Sequence, residues 1–228
     1  YTLSLTTLFR SGRNLTGGTF DDIQKAIDEC EEGGTVELTG NYTSTGNQIN
    51  IEKSITINGA KNTLLDAGKK SSIFRFNAMN KTIVLNGLTL INSKNPTIFE
   101  EDGKMGVYSI MNCHFENNPS CIDIIRGNST CFVANCIFTN NDGVTYDTET
   151  ETFRNLSMIN CNFTNNRGYV ADFGSWKGYA KYCNFINNTN GIGNVDSLID
   201  CRFENNNLGK SLIKNANSII NSTFKNNK

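Results

Sequence analysis

A right-handed, single-stranded parallel β-helix is the fold class this sequence predicts, and three observations predict it. A motif, Asn-Cys-x-Phe-x-Asn-Asn, recurs through the second half of the chain. Its copies are spaced by about 22 residues, and apolar and polar positions alternate within each copy.

The repeat begins as Asn112-Cys113-His114-Phe115-Glu116-Asn117-Asn118 and returns at 135–141, 160–166, 182–188, 200–206 and 221–227, the last with Ser222 in the cysteine position. A degenerate copy, Gly87-Leu88-Thr89-Leu90-Ile91-Asn92, precedes them. Phe115, Phe138, Phe163, Phe185, Phe203 and Phe224 stand 23, 25, 22, 18 and 21 residues apart. That spacing is too short for helical repeats of 33 or 34 residues, and the fixed leucine offsets of leucine-rich repeats are missing.

Period two places one strand face inward. Cys113, Cys136, Cys161, Cys183 and Cys201 are therefore expected to stack in one interior column and the six phenylalanines in another. The same parity turns Met111, Ala134, Ile159, Ile199 and Ile220 inward, with Lys181 as the exception. Each Asn-Asn pair ends its strand at a turn, because asparagine tolerates left-handed backbone, and amides of successive coils can form a ladder there.

Shorter strands are expected over 35–38, 48–51, 54–57, 63–65, 73–76 and 82–85, several followed by turn signals such as Asn58-Gly59 and Asn86-Gly87. Ahead of them lies one helix, about 19–32. Thr19 is its N-cap with Asp22 three residues on, Ile23, Ala26, Ile27 and Cys30 form its apolar stripe, and Gly33-Gly34 stops it. An amphipathic helix laid over the open first coil is the expected cap of a solenoid. No linker divides the 228 residues, so residues 1–228 are read as one domain, with coils over about 35–228. The start at Tyr1 suggests a processed or excised segment, and the stop within a repeat suggests further coils or domains C-terminally.

Lysine plus arginine (21) nearly balances aspartate plus glutamate (22), which disfavours nucleic acid as a partner. Apolar runs of only a few residues fall far short of the roughly 20 needed to span a bilayer, so no membrane insertion is expected in this segment.

The run from Phe20 to Gly34, the segments Ser54-Ile55-Thr56-Ile57-Asn58-Gly59 and Leu65-Asp66-Ala67, and the Asn-Cys-x-Phe-x-Asn-Asn copies resemble the adhesin-like surface proteins of gut methanogenic archaea, over nearly the whole chain. That family falls within the pectate-lyase-like β-helix superfamily. The resemblance implies an extracellular, cell-surface or cell-wall solenoid used for attachment to a glycan or protein on another cell. Its motifs specify coil geometry and do not name a ligand.

The eight cysteines read mainly as packing. Five share an inward register in which cysteine acts as a small hydrophobe, and Ser222 in the same register points to a size requirement. Cys30 faces the core from the helix. Cys121 and Cys131 lie off the ladder and bracket one turn, which makes them the best candidates for a disulfide. No Cys-x-x-Cys or cysteine/histidine cluster suggests a metal. His114, the sole histidine, sits outward on a strand, and one histidine cannot assemble a hydrolase triad or a histidine-rich metal site.

A polysaccharide lyase or glycoside hydrolase is the enzymatic alternative, since either works with clustered carboxylates on an exposed face. The candidate acids are Asp123 with Arg126, Asp147, Glu149, Glu151, Asp172, and Asp196 with Asp200. The one Asp-Asp pair, Asp21-Asp22, belongs to the helix, and Gly-His-Gly and Arg-x-Lys signatures are missing, so these acids read as solvated surface and no catalytic residue is assigned. A structural stalk is the third reading.

Two loops depart from the repeat. One carries Asp147, Glu149 and Glu151 in alternation and is the candidate calcium site; no other cofactor is expected. The other holds Tyr169, Phe173, Trp176, Tyr179 and Tyr182. Phe173 and one or two of the tyrosines are expected in the core. Trp176, beside Lys177 and among glycines, is the candidate platform for a sugar ring or protein contact, with Tyr169 and Tyr179 beside it. Eight Asn-x-Ser/Thr sequons occur, at Asn14, Asn41, Asn80, Asn128, Asn155, Asn162, Asn187 and Asn221. Asn187 is expected inward and Asn162 outward.

Overall fold

The structure, a computed structural model, describes residues 12–101, 103–124, 129–145, 155–173, 178–207 and 212–228. The chain winds through about eight coils of a parallel β-helix, with one α-helix among the described residues.

Each coil presents up to three faces. The first carries the strands Val107–Met111, Thr130–Ala134, Asn155–Ile159, Tyr179–Lys181, Val195–Ile199 and Ala216–Ile220. The second carries the motif strands His114–Glu116, Ile137–Thr139, Asn162–Thr164, Asn184–Ile186, Arg202–Glu204 and Thr223–Lys225. Ile49–Ile51, Phe74–Phe76, Ile98–Glu100 and Ile122–Asp123 form the third face, which Ala171–Asp172 and Ile192–Gly193 continue in later coils. In the early coils Gly34–Thr43, Ile55–Asp66 and Thr82–Ile91 run across both the first and second faces, with register shifts at the bend. The expected strands 54–57 and 63–65 are therefore two halves of one. At that bend the Asn-Gly steps are required by close approach: a Cβ on Gly59 would lie 2.5 Å from the carbonyl oxygen of Gly87.

From Asn112 onward the bend becomes a sharp corner. Asn112, Asn135, Asn160, Tyr182, Asp200 and Asn221 take positive φ there, between 47° and 57°. A left-handed residue resets the inward-outward alternation, which corrects the parity expectation. Tyr108, Ile110, Cys131, Val133, Leu156, Met158, Ala180, Val195 and Leu198 are buried on the first face. Met111, Ile159 and Ile199 turn outward and half-buried, and Ile220 is exposed. Ala134, in register with Ile159, is the one covered member of that row. Lys181 then fits, because it pairs in register with Ile159 and Ile199 on the outer wall.

Across the corner the cysteines are buried as free thiols. Each points its sulfur at the carbonyl two residues back and at a carbonyl of the preceding coil: Cys136 Sγ lies 3.3 Å from the Ala134 oxygen and 3.5 Å from that of Ile110. Ser222 makes the same local contact, its hydroxyl donating to the Ile220 carbonyl at 3.0 Å. Two residues on, the phenylalanine rings stack from Phe115 to Phe224 with centroids 4.6–4.9 Å apart and planes within 10° of parallel. Tyr42, Leu65 and Leu90 continue this column through the earlier coils.

The Asn-Asn pair divides its labour. The first member takes positive φ, as at Asn117 (56°) and Asn165 (58°). The second is buried in a ladder: Asn141 Nδ2 donates to Asn166 Oδ1 at 3.1 Å and to the Phe115 carbonyl at 3.1 Å, while Asn141 Oδ1 accepts from Asn118 Nδ2 and from the Asn118 backbone. Asn187, expected inward, is the exposed member of its pair, and Asn188 occupies the ladder.

The cap helix is Phe20–Glu29, three residues shorter at its end than expected. The Asp22 backbone N–H donates to Thr19 Oγ1, and Asp22 Oδ2 accepts from the Thr19 backbone, which completes a capping box. Phe20, Ile23, Ala26 and Ile27 are buried against the first coils. Lys53 Nζ closes the other end by donating to the carbonyls of Ile27, Asp28 and Cys30 at 2.9–3.2 Å. A preceding strand not anticipated from the sequence, Arg13–Thr19, pairs parallel with Gly34–Thr43.

Candidate binding cleft

The corner between the second and third faces follows the buried Asn ladder. Its backbone is tied coil to coil: Lys69 N–H donates to Asn92 at 2.7 Å, Asp142 N–H to Asn118 at 2.8 Å and Arg167 N–H to Asn141 at 2.9 Å. With the main chain so occupied, the side chains four residues beyond the Leu/Phe column project outward. In successive coils these are Lys69, Lys94, Pro119, Asp142 and Arg167. Coils rise about 4.8 Å each, so this row spans roughly 19 Å along the helix axis.

Together with the outward amides Asn92, Asn117 and Asn140 these residues line a cleft of about 470 Å³. At one end Arg167 and Asp142 form a 2.6 Å ion pair, both side chains more than half exposed. At the other, Lys69 and Lys94 are exposed and have no ion pair among the described residues. The cleft therefore offers two uncommitted ammonium groups, a guanidinium and a row of amides to a ligand lying along the axis. Such a surface suits hydroxyl- and carboxylate-bearing polymers.

Trp176, Lys177, Asp147, Glu149 and Glu151 lie outside the described residues, as do Arg126 and the side chain of Asp172. Of the remaining aromatic candidates, Tyr169 is exposed at the second-to-third-face corner, two residues past Arg167, whereas Tyr179 is half-buried on the first face, with the Ala171–Asp172 strand between them in the chain. Phe173 is fully buried, but neither these tyrosines nor Tyr182 enters the core. Tyr182 sits at the first-to-second-face corner under Lys181, whose Nζ is 4.7 Å from the ring centroid.

Asp196 lies within the first-face strand Val195–Ile199, whereas Asp200 takes positive φ at the corner that follows it, so the two acids do not share a strand. Asp196 is held below the usual carboxylate range by hydrogen bonds from Asn217 and Ser197. His114 is half-buried on the second face, between Thr89 and Ile137 of the adjoining coils. Burial pushes the Cys121 thiol well up, and burial with the nearby Glu100 raises Cys131 to about 12. Both are free and buried, so no disulfide joins them. Inside the helix the buried Glu100 accepts hydrogen bonds from the Tyr108 hydroxyl at 2.6 Å and Ser129 at 2.5 Å.

No family model matches the sequence, and no curated protein matches it. Among solved structures, similarity extends over 95% of this chain to the PL6-family alginate lyase AlyGC (TM-score 0.56, 14% identity) and to pectate lyase Pel9A (TM-score 0.52, 12% identity). What is shared with these two lyases is the parallel β-helix fold. The chain spans 39% of the alginate lyase's length and 80% of the pectate lyase's. PfbA, a surface adhesin of Streptococcus pneumoniae, also matches over 93% of this chain and 92% of its own, but a TM-score of 0.32 at 10% identity carries no argument. At these identities the likeness establishes architecture only.

The cleft residues were not singled out from the sequence. Lys69, Lys94, Asp142 and Arg167 share no local motif; only their common offset from the stacked column marks them, and that offset is readable once the coils are aligned.

Proposed function

We propose that the chain is an exported, surface-displayed binding module that holds an extended, negatively charged glycan on another cell or surface along the Lys69–Arg167 cleft, without cleaving it. The observation that supports this reading is the pair of lysines on adjacent coils whose ammonium groups have no counter-ion among the described residues. A polyanion lying along the axis meets both, then the amide row, then Arg167. The cleft's one carboxylate, Asp142, is engaged by Arg167, so the described lining supplies cations and amides for holding a ligand.

Affinity electrophoresis of the intact chain against polyuronate, sulfated and neutral glycans tests the proposal. Retardation by an acidic glycan that weakens with added salt, and that Lys69→Glu with Lys94→Glu abolishes, is the expected result. Equal retardation by neutral glycans, or none by any, overturns it; unsaturated products released from a polyuronate replace it with a lyase.

A further inference from the structure

Seven of the eight sequon asparagines lie among the described residues, and all seven are exposed. None donates a side-chain hydrogen bond; Asn162 only accepts one, from Asn184 Nδ2 at 2.7 Å, which leaves its own amide nitrogen free. The ladder asparagines Asn118, Asn141, Asn166, Asn188 and Asn206 are the reverse, buried and donating. None of those five is a sequon. The instructive case is Asn118-Pro119-Ser120, which has the hydroxyl residue in place but carries proline at the position that disqualifies it.

The exposed sequons are also unevenly placed. Asn14 and Asn155 lie on the first face, Asn41 and Asn162 on the second, and Asn80, Asn187 and Asn221 at corners. The third-face strands carry none, and neither do Asn92, Asn117 and Asn140, which line the cleft. Asn187 stands at the second-to-third-face corner with the same offset from the stacked column as Asn92, Asn117 and Asn140, one coil (about 5 Å) past Arg167, so it marks the end of the cleft.

We infer that the chain is N-glycosylated on its first and second faces and at corner positions outside the cleft, Asn187 lying just past its Arg167 end, and that the third-face strands and the Lys69–Arg167 cleft itself are the bare, ligand-facing side. The acceptor is the free Nδ2 of each sequon asparagine. It forms a bond to the anomeric carbon of a polyisoprenyl-phosphate-linked oligosaccharide as the bond from that carbon to the phosphate oxygen breaks; the amide loses one proton and the lipid phosphate leaves. Donor and transferase belong to the exporting cell, so the inference rests on the export reading above. A bulky, solubilising glycan on these walls disturbs no interior hydrogen bond.

Peptide mass mapping of the protein recovered from the cells that produce it, with amidase release in ¹⁸O-water to mark each former glycan site, tests the inference. Oligosaccharide at sequons on both the first and second faces is expected; recovery of all seven asparagines unmodified overturns it. A second measurement uses Pro119→Ala, which turns Asn118 into a formal acceptor. The folded variant is expected to carry glycan at its neighbours but none at Asn118, and occupancy of Asn118 with an unchanged melting temperature overturns the accessibility argument. The glycan map does not depend on ligand binding. Enzymatic deglycosylation is expected to leave glycan retardation intact, and its loss would contradict a bare binding side.

Discussion

The rings of Phe163 and Phe185 lie face to face, 4.6 Å between centroids and 1° from coplanar, although 22 residues separate them in the chain. That distance is the rise of one coil. The pair is buried, offers no room for a different side chain between its neighbours, and transmits the register of one coil to the next.

Phe163→Ala should therefore cost about 3–5 kcal/mol, through lost burial and the cavity left between two rings. Urea unfolding followed by circular dichroism measures it. A loss below about 1 kcal/mol would mean that the column collapses around the gap.

The Asn ladder gives a sharper contrast. In Asn166→Asp the two donated bonds, to the Phe138 carbonyl at 3.0 Å and Asn188 Oδ1 at 3.1 Å, become contacts between acceptors in a buried site. The aspartate variant should be less stable than Asn166→Ala at neutral pH and should recover part of the difference in acid, as the carboxyl protonates. A melting series against pH reads this directly.

The repeat was legible because a cysteine and a phenylalanine two apart, recurring about every 22 residues, admit few architectures. The corner at Asn112 was not. An asparagine within an apolar alternation reads equally as a strand position and as a left-handed turn, and only the solved register separates Met111 on the outside from Cys113 on the inside. Arg13–Thr19 was missed because Gly17-Gly18 reads as loop, whereas in the structure its strand is held by pairing with Gly34–Thr43, far along the chain. The cleft was invisible because its residues are related by coil position alone.

All eight cysteines are buried and free. Burial raises Cys121 and Cys131, whereas in the ladder sulfur-to-sulfur hydrogen bonds raise Cys136 and Cys183 and lower Cys161 and, against its burial, Cys113. Burial, which denies a reagent access to any of them, should therefore make the folded chain resist alkylation at mildly alkaline pH and release all eight thiols only on denaturation, counted by mass. Rapid labelling of the ladder in native buffer would show that the coils open locally.

Glu32 links the turn after the cap helix to the coil beyond. A hydrogen bond from Lys81, then one from the Ser54 backbone, lowers its carboxyl from the ordinary 4.5 to about 2. A depressed folded pKa means this contribution is complete above pH 4.5 and fades as pH falls toward about 2. Amide exchange over 31–34 and 53–54 should rise across that window, and Lys81→Met should flatten the rise.

Hydrogen-exchange footprinting with a bound acidic glycan tests the account most directly. Protection should appear in a line along the axis, at 92–94, 117–119, 140–142 and 165–167, with the outer walls of the first and second faces unchanged. Protection confined to those walls, with the Lys69–Arg167 corner exchanging as in the free chain, would contradict it.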